Sequence, residues 1–138
     1  MSSIGLPHTY RIQVKNETGA TLLANAIQVK FRRVKFDSSA ALDLATENVP
    51  YDLGSTITDD SVGNGANQDN SGASDKWLGA DVFVEVDMPV SGTDGNPVKI
   101  YLQHSTDGGT TYPDNEKGRL LFSIASADGV TIKDSTEI

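Results

Sequence analysis

Apolar and polar side chains alternate at every second residue along much of this chain, and that period of two confines those stretches to β-strands. Val82, Val84, Val86 and Met88 interleave with Asp81, Phe83, Glu85 and Asp87, and Tyr10, Ile12 and Val14 interleave with Arg11, Gln13 and Lys15. Successive side chains of a strand point to opposite faces, so each run offers one apolar face for a core and one polar face. The run Ile27 to Arg32 repeats the pattern and continues through Val34 and Phe36, with the doubled Arg32-Arg33 breaking the alternation as a β-bulge does. Val98, Ile100 and Leu102 alternate again after a turn-rich connection around Asp94-Gly95, which predicts a hairpin with the 82–88 strand. Further strands are expected at 119–124 and 130–132. Residues 40–44 read equally as a helical turn or a strand, and Pro50 disfavours helix over 48–51. No amphipathic helix of three turns is evident. Strands recurring at intervals of about ten to twenty residues predict an all-β fold, an antiparallel β-sandwich of jelly-roll or Ig-like type with long loops and little helix.

The length of 138 residues suits one domain, 1–138, and is too short for a multi-blade propeller. Only 37% of the residues are apolar, which allows a thin core. The chain has no Cys, so disulfides and thiolate chemistry are excluded, and only His8 and His104 offer imidazole. No apolar run reaches the roughly 20 residues that span a bilayer, and the first residues lack the basic and apolar regions of a signal peptide. A soluble, unprocessed protein that binds no membrane is expected.

Charge is unevenly placed. The net charge is -8, which argues against general nucleic-acid binding. Residues 1–36 nevertheless carry Arg11, Lys15, Lys30, Arg32, Arg33 and Lys35 against the single acid Glu17, a balance of +5, so the remaining 102 residues hold -13. A basic N-terminal strand region on an acidic body suits docking onto an acidic partner, self-association of unlike patches, or pairing within the same molecule. Arg11, Lys30, Arg32, Arg33 and Lys35 are the candidate partner-binding residues. Residues 59–75 contain one sizeable apolar side chain, Val62, among Asp, Asn, Gly and Ser, and are expected to form a long mobile loop. Its carboxylates lack the ligand order of a calcium loop, so no metal site is assigned.

Ser105-Thr106-Asp107-Gly108-Gly109-Thr110-Thr111-Tyr112 matches the Asp-box pattern, S-x-D-x-G-x-T followed by an aromatic residue. The physics is that of a turn: Asp107 accepts backbone N–H groups across the loop, Gly108 and Gly109 supply positive φ, and Tyr112 packs back on the sheet. Ser105, Asp107, Gly109, Thr111 and Tyr112 are therefore structural candidates. Asp-boxes recur in sialidases and related propellers away from the catalytic centre, and a single box carries no catalysis with it. The wider segments 79–86 and 98–114, 25 of the 138 residues, resemble small virion structural proteins of tailed bacteriophages, above all capsid decoration (cement) proteins. That resemblance implies a β-rich module, often trimeric, that binds the major capsid protein on the outside of the shell and clamps neighbouring subunits. It names no contact residue.

Catalytic constellations are missing from the sequence: it has no G-x-S-x-G elbow, no phosphate loop and no H-E-x-x-H. His104 and Ser105 are adjacent on a strand and point apart, which disfavours a triad. No enzymatic activity and no cofactor are expected. Two readings of function follow. In the first the chain decorates a capsid, as a homo-oligomer with a trimer favoured, and replacing Arg32 and Arg33 by Glu weakens attachment more than replacing Lys99 or Lys133. In the second it is a glycan-binding module of a tail or head fibre, with Trp77 and Tyr112 as stacking platforms beside the 59–75 and 106–118 turns.

Overall fold

The computed structural model describes residues 6–36, 39, 41–44, 48–52, 54–70 and 77–138. All regular structure among the described residues is antiparallel strand, in two sheets. The first sheet contains β1 (Thr9–Asn16), β5 (Val62–Asn64), β6 (Gln68–Asp69), β8 (Pro97–Ser105) and β9 (Arg119–Ala125), in the order β5-β1-β8-β9 with β6 also on β1. The second contains β2 (Ile27–Phe36), β3 (Leu42–Leu44), β4 (Asn48–Asp52), β7 (Gly79–Asp87) and β10 (Thr131–Glu137), in the order β10-β7-β2-β3 with β4 also on β2. The chain is thus a β-sandwich.

The alternation that defines the strands also builds the core. Ile12 and Val14 of β1, Ile100 and Leu102 of β8, and Phe122 and Ile124 of β9 are buried from one side. Ile27, Val29 and Phe31 of β2 and Val82, Val84 and Val86 of β7 close from the other. The Tyr10 and Phe31 rings stack between the sheets at 5.8 Å and 12°. Burial pushes the Tyr10 hydroxyl up to about 12, because an ionised phenolate loses its hydration there.

Three local expectations are corrected. The 82–88 and 98–102 strands do not form a hairpin: β7 pairs with β2 and β10, β8 pairs with β1 and β9, and residues 88–96 cross from sheet to sheet. Alternation says which face of a strand is buried but not which strand lies beside it. No bulge interrupts β2 against β7, whose register runs unbroken from Ile27↔Val86 to Val34↔Gly79; the irregularity lies on the β4 side, between Val29 and Phe31. The 59–75 segment is not structureless where it is described. β5 pairs Gln13↔Asn64 through Lys15↔Val62, and β6 pairs Thr9↔Asp69 and Tyr10↔Gln68. Main-chain pairing to the free edge of β1 needs no apolar side chain, so composition gave no sign of it. Residues 71–75 of that expected loop, and residues 1–5 of the expected unprocessed start, lie outside the described residues. The open 40–44 stretch includes strand β3.

Candidate functional site

The two outer faces of the sandwich differ, and the difference starts from two glutamines. Gln13 on β1 and Gln103 on β8 stand at the polar positions of their strands, yet both are fully buried. The 106–118 connection between β8 and β9 folds back over them. Gln103 Nε2 donates to Lys117 O at 2.8 Å and to Asp114 O at 3.1 Å. Gln13 Oε1 accepts Glu116 N–H at 2.9 Å, and its Nε2 donates to Asn64 Oδ1 at 2.8 Å and Asn115 Oδ1 at 3.2 Å. Buried carboxamides satisfied in this way hold a loop whose own side chains contribute little core. Gly118 allows the return: its φ is +112°, and a Cβ there would stand 2.7 Å from Leu102 O. At one end of this layer Lys15 Nζ meets Asp60 Oδ1 at 2.8 Å, which raises the lysine above its ordinary range and lowers the aspartate.

The 105–112 turn anchors the other end. Ser105 Oγ donates to Asp107 Oδ1 at 2.6 Å and accepts Gly109 N–H at 2.9 Å, while Thr111 N–H reaches Asp107 Oδ1 at 2.8 Å. These donors, the Ser105 hydroxyl first, hold the Asp107 carboxyl down to about 2. Gly108 and Gly109 have φ of +73° and +96°. Tyr112 lies beneath Arg11, whose guanidinium sits 4.1 Å from the ring centroid, and its hydroxyl donates to Asn67 Oδ1 at 2.8 Å. His104 is exposed and follows the parity of Ile100 and Leu102, whereas Ser105 follows that of Gln103 and is spent on the turn.

The basic candidates fall in three places rather than one patch. Arg11 belongs to the covered face of the first sheet, where its Nε also donates to Gln103 Oε1 at 3.0 Å. Arg33 and Lys35 take the inward parity of β2 beyond Phe31, at the end of the sandwich, and both sit over the Trp77 ring at 5.1 and 4.6 Å. Their aliphatic stems suit that position, since long cationic side chains cover apolar surface while the charge stays wet. Lys30 and Arg32 point outward from the second sheet. There the registers Arg32↔Asp81 and Glu85↔Lys133 lay opposite charges side by side, with no ion pair between them among the described residues, while Lys30 stands opposite Phe83 and Gln28 opposite Glu85. Phe83, 48% exposed, stands among them beside a shallow recess of about 210 Å³ lined by Lys30, Glu85 and Lys133. No loop of the described residues covers this face.

Sequence reasoning missed the two glutamines, because a polar residue at a polar position reads as solvent-facing. The only signal is that the outward row of β8, Lys99, Tyr101 and Gln103, is less charged than an open face would be. Among the described residues no group of three or more His, Cys, Asp or Glu is placed to hold a metal ion, and no helix is long and apolar enough to cross a membrane. The class of molecule is thus an antiparallel β-sandwich with part of one sheet face covered by its own loop, while no loop of the described residues covers the other. No family model, no curated protein and no solved structure matches the chain.

Proposed function

We propose that this chain is a virion structural protein that binds the outer surface of a phage capsid and stabilises the shell, the role its sequence resemblance implies. The observation that supports this reading is the outer face of β2, β7 and β10, where Lys30, Arg32 and Phe83 point outward and neither cation forms an ion pair among the described residues. An outward sheet face that carries Lys30, Arg32 and one exposed aromatic residue suits docking onto a fixed acidic surface. Modest contacts of this kind become firm when repeated over a symmetric lattice by a homo-oligomer, with a trimer favoured. The fibre reading draws less support. Trp77 and Tyr112 each already carry a cation over the ring, so a sugar would have to use the opposite face or displace that cation.

The structure also refines which charges to test, since Arg32 and Arg33 point to opposite sides of β2. Reversing Lys30 and Arg32 together to Glu is expected to weaken co-sedimentation with empty shells by about tenfold or more at low salt, the gap narrowing as salt rises. Lys117→Glu, on the covering loop of the other sheet, is expected to leave loading unchanged. Full shell occupancy by the doubly reversed variant would overturn this docking face.

A further inference from the structure

Among the described residues, β10 is the one open sheet edge that is both long and regular. The other edge of its sheet is shared between the short β3 and β4, the far side of β1 is shared between β5 and β6, and β9 is broken by a register shift opposite Ile100 and Tyr101. β10 runs unbroken against β7 from Thr131↔Asp87 to Glu137↔Asp81, and no strand of the described residues lies on its other side.

The ladder with β7 decides which groups that edge presents. Ile138 N–H donates to Ala80 O and Ala80 N–H to Ile138 O, both at 3.0 Å. Bonded and non-bonded positions alternate in an antiparallel pair, so the even-numbered residues of β10 bond to β7, while Lys133, Ser135 and Glu137 turn their N–H and C=O groups off the edge. Ser135 N–H accordingly donates to the neighbouring side chain, Asp134 Oδ1 at 2.8 Å, instead of to a strand carbonyl. Side chains follow the same parity. Ile132 and Ile138 pack on the core, so Lys133, Ser135 and Glu137 stand on the outer face with Phe83.

Charges along an edge reject most added strands. A second β10, added antiparallel about a two-fold axis normal to the sheet, is the exception in one register. Such an axis keeps each side chain on its own face, so it must pass through a residue position. Centring on Lys133 sets two ammonium groups together, centring on Asp134 sets two carboxylates together, and centring on Ile132 or Thr136 runs off the strand. Centring on Ser135 sets Lys133 against Glu137 of the second copy in both halves, Asp134 against Thr136, and Ile132 against Ile138 on the core side. Within one copy Lys133 stands opposite Glu85, whereas Glu137 has only the carboxylate of Asp81 opposite it. The second copy supplies Glu137 with its cation. Phe83, half exposed and opposite Ser135, flanks the small serine pair from both sides.

We infer that β10 is a self-association edge, through which two copies of this chain join antiparallel about Ser135, with about six backbone hydrogen bonds shared among Lys133, Ser135 and Glu137 of each. Asp134 then releases the Ser135 N–H to the carbonyl of the other Ser135. Because the axis is normal to the sheet, both outer faces point the same way, and Lys30 and Arg32 are presented twice on one surface. The contact forms without any shell, and the trimer favoured above would use another surface.

Sedimentation velocity of the purified chain over a concentration series, with no capsid present, tests it. The wild type is expected to rise from its monomer mass of 14.7 kDa to twice that mass and no further. Ser135→Pro removes the central donor, which the ladder with β7 does not use, and is expected to stay monomeric. Lys133→Glu sets carboxylates together in both halves and Glu137→Lys sets ammonium groups together, so each alone is expected to weaken association at least about tenfold. Mixed in equal amounts, these two variants oppose unlike charges at both positions and are expected to form a mixed dimer at least as readily as the wild type. Since the mixture associates only if both variants are folded, it also controls for misfolding. Reversing Lys30 and Arg32 to Glu is expected to leave dimerisation unchanged, which separates a failure of this edge from a failure of the docking face. A wild type that stays monomeric throughout, a proline variant that still dimerises, or a mixture that does not, overturns the inference.

Discussion

At Asp107 a single carboxylate gathers three neighbours, accepting from the Ser105 hydroxyl and from the backbone of Thr111 and Thr110. Its folded-state pKa, about 2, lies below the ordinary value of 3.8, so the charged form is the one the fold favours. The sign follows from linkage: this stabilisation is present above about pH 4 and is lost as pH falls towards 2. Asp107→Asn has no such proton to take up. Thermal midpoints of the two proteins are therefore expected to differ most above pH 4 and to converge between pH 4 and pH 2; parallel curves across that window would show that the carboxylate is not what the turn depends on. This residue was readable from its neighbours in the chain, because every partner lies within four positions. Gln13 and Gln103 were not, because they are 90 residues apart and nothing local distinguishes a buried carboxamide from an exposed one.

The 106–118 connection behaves as an element although it contains no strand or helix. It adds little apolar area, and its attachment rests on the carbonyls that Gln103 satisfies and on the Arg11 stack against Tyr112. Gln103→Leu keeps the volume roughly constant but strands the Lys117 carbonyl without its donor and removes the acceptor of Arg11 Nε, while the Asp114 carbonyl keeps only the Lys117 N–H. A loss of about 1–3 kcal/mol is expected in urea unfolding, the range for buried polar groups left unpaired. Amide hydrogen exchange should rise across 113–118 and not in β7 or β10. Strand identity was legible element by element for β1, β2, β7 and β8, whose side chains keep the two-residue period, and for β9 from its apolar run after a Gly-rich turn. β5 and β6 were invisible, since they are short, polar and defined only by the backbone of β1. The expected hairpin failed for a related reason: a nine-residue connection, 88–96, is long enough to step between sheets, and no local signal distinguishes that path from a turn within one sheet.

On the scale of the whole molecule, the sheets are held by a thin layer of Val and Ile with few aromatic rings, and the Tyr10–Phe31 stack is the main aromatic contact across it. Phe31 is fully buried. Phe31→Ala is expected to cost about 3–5 kcal/mol, a large share of the stability of a domain this size. A chemical-denaturation midpoint close to that of the wild type would mean that the sheets close over the gap. The same scale separates charges that the chain lists together. Arg32 and Arg33 are neighbours in sequence yet lie on opposite sides of β2, one exposed on the outer face and one over Trp77.

The amino-acid sequence alone determined that this chain is a sandwich of antiparallel strands, and it marked the 105–112 turn, because both depend on side-chain periods and contacts within a few residues. Which strands are neighbours, which sheet face is sealed, and which cations remain available were decided only in three dimensions. Those outcomes rest on hydrogen bonds and packing between residues far apart in the chain, and no local pattern records them.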